Sequence, residues 1–378
     1  MKEAIEIQPM TFHPEVLARI APDLSMQRHL SLGLRPSLRA LEEFRNVEIS
    51  DGQLSCGSQN SVNRTGNNIL GSNVLKSGKT MVITSITGGV VEENMSVHNP
   101  DEEESPELEQ AVGAGGVEDH GCVYPVVEVE RGRVGAPTDE EMNLSQRIYN
   151  SVLHTGLISK KALEVSVGVR STNSDGQSSV LYPDADPSNA LAQNFKPRRK
   201  WSYVLYAKIQ VFSRDGPLFE LCWNSLLYAL ANTQLPRAFV DERTTDLKIP
   251  VSMRGRSAAI RETFDILCDP NEFQPLMLSK DRLAFASNFA VVDIDPEAQL
   301  PKDDDDMQVD SPKSVLLADI QGEAEEASVF STLSAVTDAK GNLKHFKAVG
   351  GGSKITMEMI KRSIALAKLR ASDLNKKL

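Results

Sequence analysis

Only four of the 378 residues are cysteine, Cys56, Cys122, Cys222 and Cys268, and none stands in a CxxC pair. A disulfide framework or a structural zinc site needs closer spacing, so these read as reduced thiols of a cytosolic or nuclear chain. Cys222 and Cys268 lie in apolar contexts, where a packed core thiol is expected. No run approaches the roughly 18 apolar residues of a membrane span. Met1 to Met10 also lacks the basic start and apolar stretch of a secretory leader, so no membrane partner is expected. The six histidines are scattered, none at i, i+4 and none in HExxH, which leaves a zinc hydrolase without ligands. No metal and no cofactor is expected.

An excess of basic residues is lacking as well. The net charge is −11, and a nucleic-acid partner favours the opposite sign. The distribution reverses that impression. Glu92 to His120 carries ten acidic residues and no Lys or Arg, and Pro301 to Pro312 carries five Asp and one Lys, which leaves +3 for the rest. Both stretches have few large apolar residues and read as acidic insertions in loops around a mildly basic body. The run Asp303 to Asp306 reads as a solvated loop rather than a metal site. Lys196-Pro197-Arg198-Arg199-Lys200 closes a third polar segment as an import signal, a phosphate contact or a plain loop.

Between these segments the periodicities are legible. Leu70 to Lys76 and Met81 to Ile86 are strand-like, with Ser77-Gly78-Lys79-Thr80 between them. That tetrapeptide tempts a P-loop reading, but the glycine required five residues before Gly78 is Asn73, and a β-branched strand follows where a helix should. Val123 to Glu130 alternates, and Thr138 with Glu141 forms a capping-box pattern ahead of Leu144, Ile148 and Val152. Trp201 to Phe212 reads as a long strand, and Pro217 to Ala231 as a helix apolar nearly all round and therefore buried. Further strands are expected at Leu283 to Val292, Val315 to Ile320, Ala327 to Val336 and Lys344 to Val349. A last helix carries the stripe Met357, Ile360, Ile364, Ala367, Ala371 and Leu374. Gly350-Gly351-Gly352 before it could cradle a phosphate, though a flexible turn is the preferred reading. Glu15 to Leu32 reads as an extra N-terminal helix. Strands followed by helices, twice over, suggest two similar α+β units side by side.

Arg131-Gly132-Arg133 and Arg254-Gly255-Arg256 with Arg261 are basic punctuation without acidic partners at helical spacing. A guanidinium fork suits a phosphate backbone, so these are candidate phosphate contacts; surface arginines at strand ends are the equal alternative.

The stretch Leu34 to Thr87 resembles the opening of RNase PH-type proteins: Arg35-Pro36, Arg39, Glu43-Phe44-Arg45, then Gly71-Ser72-Asn73-Val74 and Gly78-Lys79-Thr80. The resemblance continues through Val123-Tyr124-Pro125-Val126-Val127-Glu128, Asp139-Glu140-Glu141 and Leu226-Leu227-Tyr228-Ala229-Leu230, and resumes at Gly350 to Ala367. Within that family the chain is most similar to the ring subunits of the eukaryotic RNA exosome, over long blocks such as Asn67 to Thr80, Tyr124 to Gly135 and Lys200 to Lys208.

The resemblance implies an α+β fold of two RNase PH-like βαβα units, of the ribosomal protein S5 domain 2-like kind, plus an N-terminal helix. The expected divisions are 1–33, the helical extension; 34–240, the first RNase PH domain with its acidic insertion 92–120; and 241–378, the second with insertion 301–312. Active relatives cleave RNA from the 3′ end with phosphate as nucleophile, held by a Gly-Ser/Thr-Arg clamp after the last strand of the first unit. Here Arg214-Asp215-Gly216 opens that turn, and the clamp positions become Pro217, Leu218 and Phe219. By the same resemblance Asp293 and Asp295 are the candidates for the first catalytic acid; the next would fall near Lys313-Ser314.

The implied protein is a noncatalytic subunit of a six-membered ring of RNase PH-type subunits. An S1-domain cap subunit, an associated hydrolytic exoribonuclease and RNA are its expected partners. Its expected work is rRNA processing and RNA degradation in nucleus, nucleolus and cytoplasm, with Arg131, Arg133, Arg254 and Arg256 lining the RNA path. A weakly active phosphorolytic exoribonuclease and a pure scaffold without RNA contact are the alternatives.

Overall fold

In the computed structural model the described residues are 12–55, 68–93, 120–132, 135–172, 178–182, 200–241, 246–248, 261–263, 266–295 and 314–378. Both acidic stretches, apart from Glu92, Glu93 and His120, lie outside them, as does Lys196 to Arg199.

The chain opens with α1 (Pro14–Ile20) and α2 (Pro22–Ser31). One helix over Glu15 to Leu32 was expected. Pro22 divides it, because proline offers no amide hydrogen and pushes the residue before it out of helical geometry; Ala21 sits at φ −139°.

The first sheet combines β1 (Val47–Asp51), β2 (Ile69–Ser77), β3 (Thr80–Glu93), β4 (Val123–Val129) and β7 (Lys200–Phe212), in the order β1-β2-β3-β7-β4. Only the β4–β7 pairing is parallel. Ser77-Gly78-Lys79-Thr80 is the turn of the β2–β3 hairpin, with Gly78 at φ +59°, so no phosphate loop forms there. Helix α3 (Asp139–Thr155) begins with the expected capping box: the Glu141 carboxylate accepts from the Thr138 amide at 2.6 Å.

A second sheet contains β5 (Val167–Thr172), β6 (Ser178–Leu181), β8 (Gln234–Asp241) and β11 (Ile266–Pro275), in the order β11-β8-β5-β6. A short ribbon pairs β9 (Asp246–Lys248) with β10 (Arg261–Thr263). The division expected at 240/241 thus falls inside β8, a strand paired on both sides. Cys268 lies exposed on β11 and not in the core, because the Ile266 and Leu267 beside it belong to a peripheral strand; Cys222 is fully buried as expected.

The third sheet has β12 (Ala284–Asp293), β13 (Ser314–Ala318), β14 (Ser331–Asp338) and β15 (Leu343–Val349), antiparallel in the order β13-β12-β14-β15. Ala327 was expected to open a strand, but Gly322–Ser328 forms helix α5 and the strand starts at Ser331. Helix α6 (Met357–Asn375) covers one face through Leu366 and Ala367. Met26 and Leu30 of α2 cover the other, against Ala290, Val292 and Leu317. Among the described residues no helix is long and apolar enough to cross a membrane.

Helix α4 (Phe219–Ala231) binds these parts together, and all but one of its residues are buried. It lies close enough on β2 that a side-chain carbon at Gly71 would come within 2.7 Å of the Ala229 carbonyl oxygen. On its other side is a strand with an unfilled edge. β13 pairs with β12 only over 289–293, so the outward backbone of residues 284 to 288 has no strand beside it. Side chains of α4 complete that edge. Trp223 Nε1 donates to the Ala284 carbonyl at 2.8 Å, Asn224 exchanges two hydrogen bonds with Ala286, and the Glu220 carboxyl accepts from the Asn288 amide at 2.9 Å. Buried backbone groups left unpaired would be costly. Tyr228 donates to the Leu374 carbonyl at 2.8 Å, so one core runs from the first sheet through α4 to α6.

A buried ionic cluster ties the segment before β1 to the third sheet. Arg35 is fully buried and pairs with Glu325, also fully buried; it further donates to the carbonyls of Ala318 and Asp319. Arg45 holds both carboxylate oxygens of Asp319, at 2.8 and 2.7 Å, and Arg39 approaches the same group at 3.3 Å. Burial opposes ionisation of Asp319, but the Arg45 guanidinium overrides it and holds that carboxyl below its ordinary range. Removing one partner of such a buried pair strands the other charge. Glu325→Gln is therefore expected to lower unfolding stability in urea by about 3–5 kcal/mol, whereas Arg19→Ala, which breaks the exposed pair with Glu323, should cost at most about 1 kcal/mol. Equal losses in the two variants would contradict this placement.

Candidate functional site

The turn that should carry a phosphate clamp lies between β7 and α4. It is locked to the loop after β13 rather than open to solvent. Gly216 adopts φ +88°, and a side-chain carbon there would sit 2.2 Å from the Ile320 carbonyl oxygen, so only glycine fits. Asp215 accepts from the Gly322 amide at 2.6 Å. Arg214 is spent on carboxylates, bridging Glu140 of α3 at 3.0 Å and Glu326 of α5. Of the three clamp positions, Pro217 is half-buried and the next two turn inward. Leu218 and Phe219 are each 2% exposed, and Pro217 has no amide hydrogen to offer.

Where a clamp arginine would reach toward the third sheet, the Phe219 ring stands instead. The Arg147 guanidinium of α3 lies over it, 3.4 Å from the ring centroid. Arg147 also donates to Ser334 Oγ at 2.9 Å. This cleft, of about 110 Å³, is bounded by Arg147, Pro217 and Phe219 on one side and by Asn288, Thr332, Ser334 and Lys347 on the other. Burial alone lowers the Arg147 pKa to about 10.

The acids expected to serve a reaction are elsewhere. Asp293 ends β12, accepting from Ser314 Oγ at 2.5 Å, while its carbonyl accepts from Gln27; Asp295 takes the same glutamine through its amide. Neither lines the cleft. Of β12, Asn288 and Phe289 line it. Ser314 donates to Asp293, and Lys313 lies outside the described residues. Glu220 is near, but it is fully enclosed: burial and then Asp319 push its carboxyl up to about 7, and it serves the Asn288 amide.

Of the four arginines expected on an RNA path, Arg131 alone is described. It forms a surface ion pair with Glu140 at 3.1 Å, a partner too distant in sequence for helical spacing to find. Arg133, Arg254 and Arg256 lie outside the described residues. The structure brings Arg147 and Lys347 together instead, and neither residue carried a motif that could have singled it out. Gly350 to Gly352 does not open α6, which is capped by Thr356; it lies against Ser331, whose hydroxyl accepts from the Ser353 amide at 2.9 Å. Among the described residues no three His, Cys, Asp or Glu side chains are grouped to hold a metal.

Residues 43–236 match the 3′ exoribonuclease family, domain 1. The chain belongs to the RNase PH family. Its sequence is 22% identical over 247 residues to the exosome complex component rrp43 of Schizosaccharomyces pombe, covering 64% of this chain and 68% of that relative. In fold it is similar to a chain of the Archaeoglobus fulgidus exosome with RNA bound to the active site, at a TM-score of 0.53, 15% identity, and coverage of 96% and 99% of the two chains. An archaeal exosome core gives 0.51 at the same identity, with 96% and 98% covered. The two-unit α+β architecture is therefore that of the RNase PH fold, and the altered turn is a departure within a family fold.

Glu220 provides a test of how tightly this RNase PH cleft is closed. Its folded carboxyl keeps its proton up to about pH 7, whereas the unfolded chain releases it near 4.5. The folded state thus holds the extra proton between these values, and this group's contribution to stability falls as pH rises through them. Glu220→Gln preserves the acceptor without the charge. Its stability relative to the natural chain, from urea unfolding, is expected to increase from about pH 5 to about pH 8. A difference constant across that range would mean Glu220 is already ionised at the lower pH.

Proposed function

We propose that this RNase PH-family chain is a noncatalytic subunit of an RNA exosome ring, supporting 3′-to-5′ RNA processing and degradation by helping to form the RNA channel. The observation that carries the reading is the turn Pro217-Leu218-Phe219. It has lost the clamp's arginine and hydroxyl to a buried helix start, and among the described residues no carboxylate lines the cleft. Phosphorolysis needs an oriented phosphate and a group to handle the leaving proton. Proline, leucine and phenylalanine supply neither.

Assembly is supported by the similarity to an exosome component and by the surface of the first sheet. β4 is an edge strand, and Tyr124, Val126, Met142 and Tyr206 beside it are each about half exposed. An edge strand flanked by exposed apolar side chains invites a neighbour, and on this edge the Val127 and Val129 amides donate only to the Ser145 and Glu141 side chains. The partners under this reading are other RNase PH-type subunits in a six-membered ring, an S1-domain cap subunit, a hydrolytic exoribonuclease and RNA. The work would include rRNA maturation and RNA surveillance in nucleus, nucleolus and cytoplasm. Arg131, Arg133, Arg254 and Arg256 remain the proposed RNA contacts.

Co-expression with other RNase PH-type subunits, followed by native mass measurement, is expected to give a closed ring containing this chain. RNA crosslinked to that ring should leave adducts at or beside the four arginines. A chain that stays monomeric among such subunits would contradict the ring role; a ring without adducts would reduce it to a scaffold.

A further inference from the structure

Of the α4 side chains that complete the open edge of β12, Glu220 alone carries a group that titrates near neutral pH. Trp223 and Asn224 meet Ala284 and Ala286 with neutral groups. A glutamine would accept from the Asn288 amide as a carboxyl does. What the carboxyl adds to this bond is a dependence on protons.

Its surroundings disfavour the charged form. Glu220 is 2% exposed, and β12 meets it with the neutral Asn288. Two cations face it, and both are committed elsewhere. Arg45, before β1, holds Asp319 at 2.8 and 2.7 Å and reaches Asp215 of the β7–α4 turn at 3.9 Å. Arg370, on α6, donates to the Arg45 carbonyl at 2.9 Å and lies over the Phe44 ring. Asp319, in the loop after β13, faces Glu220 with a like charge. Burial is the largest of these influences and Asp319 the next; together they outweigh the guanidinium groups and the helix start, which favours a negative charge.

The same place is where the seam parts most easily. β13 pairs with β12 only over 289–293, so no strand ladder has to break beside 284 to 288. Helix α4 starts at Leu218 without a side-chain cap, and Glu220 stands in its first turn. Trp223 and Asn224 lie one turn further in, and Tyr228 ties the far end to Leu374. Burial of Leu218 and Phe219 keeps the first turn in place while the carboxyl is neutral. Release of that turn would hydrate an ionised carboxyl and free the Asn288 amide, with the rest of the seam intact.

We propose that Glu220 is a proton-linked latch between α4 and the third sheet: its neutral carboxyl holds the Asn288 amide, and its ionisation parts the start of α4 from β12 within the otherwise folded chain. The closed latch keeps its proton up to about pH 7, whereas an exposed carboxyl releases it near 4.5. The closed form is therefore favoured at low pH, the open fraction grows between these values, and it levels off above them.

Amide hydrogen exchange of the full chain, read residue by residue by mass spectrometry and corrected for intrinsic rates, tests this. Opening at Asn288 is expected to rise about tenfold for each pH unit from about pH 5 to about pH 7 and then level. In Glu220→Gln it should not change with pH. Opening at Asn288 should also be indifferent to low urea, whereas the β3 amides at 82 to 86, which exchange by wider unfolding, should be better protected and accelerate with urea. Protection at Asn288 that is constant across the pH range, or equally pH-dependent in Glu220→Gln, overturns the proposal. So does exchange at Asn288 that follows urea as β3 does, a result the natural chain gives even if Glu220→Gln does not fold.

Discussion

The rest of the structure depends on the side chains of α4 completing the unfilled edge of β12. Glu220, Trp223 and Asn224 meet the backbone groups of Ala284, Ala286 and Asn288 that no strand reaches. Through these bonds a helix packed on the first sheet becomes part of the third. The residues that begin this helix are also those a phosphorolytic relative would spend on its clamp. In this chain Leu218 and Phe219 have been drawn into the core, so the junction of the two units gained packing where an exposed anion site would have been. Under the proposed noncatalytic reading, the altered turn and the cohesion of the fold have a common physical origin.

The arginine cluster reinforces that junction from the opposite side. Arg35, Arg39 and Arg45 insert into the loop after β13, where Asp319 and Glu325 receive them. Asp319 takes φ +51°, an uncommon conformation for a residue with a side chain. The surrounding hydrogen bonds hold it there. Residues that carried the family resemblance at the start of the chain therefore act as braces between units, and RNA contact is not needed to explain Arg35, Arg39 or Arg45.

Much of this was legible in the sequence where local rules govern. The capping box at Thr138 and Glu141, the alternation of β4 and the all-round apolarity of Phe219–Ala231 are set by nearest neighbours and by burial. The misreadings arose where one residue or tertiary packing decides. Pro22 alone splits the N-terminal helix, and Ala327 and Ser328, where a strand was expected to begin, instead close helix α5. At the candidate site, the loss of the clamp could be seen from Pro217 to Phe219. That Arg147 and Lys347 line one cleft could not, since they stand 200 positions apart in chain order and no spacing rule encodes such a pairing.

The central claim is that the cleft lacks phosphorolytic chemistry. It is tested most directly by incubating the purified full chain with single-stranded RNA and inorganic phosphate and measuring release of nucleoside diphosphates from the 3′ end. The account predicts no release above that seen without protein. Phosphate-dependent release that disappears in Asp293→Asn would contradict it.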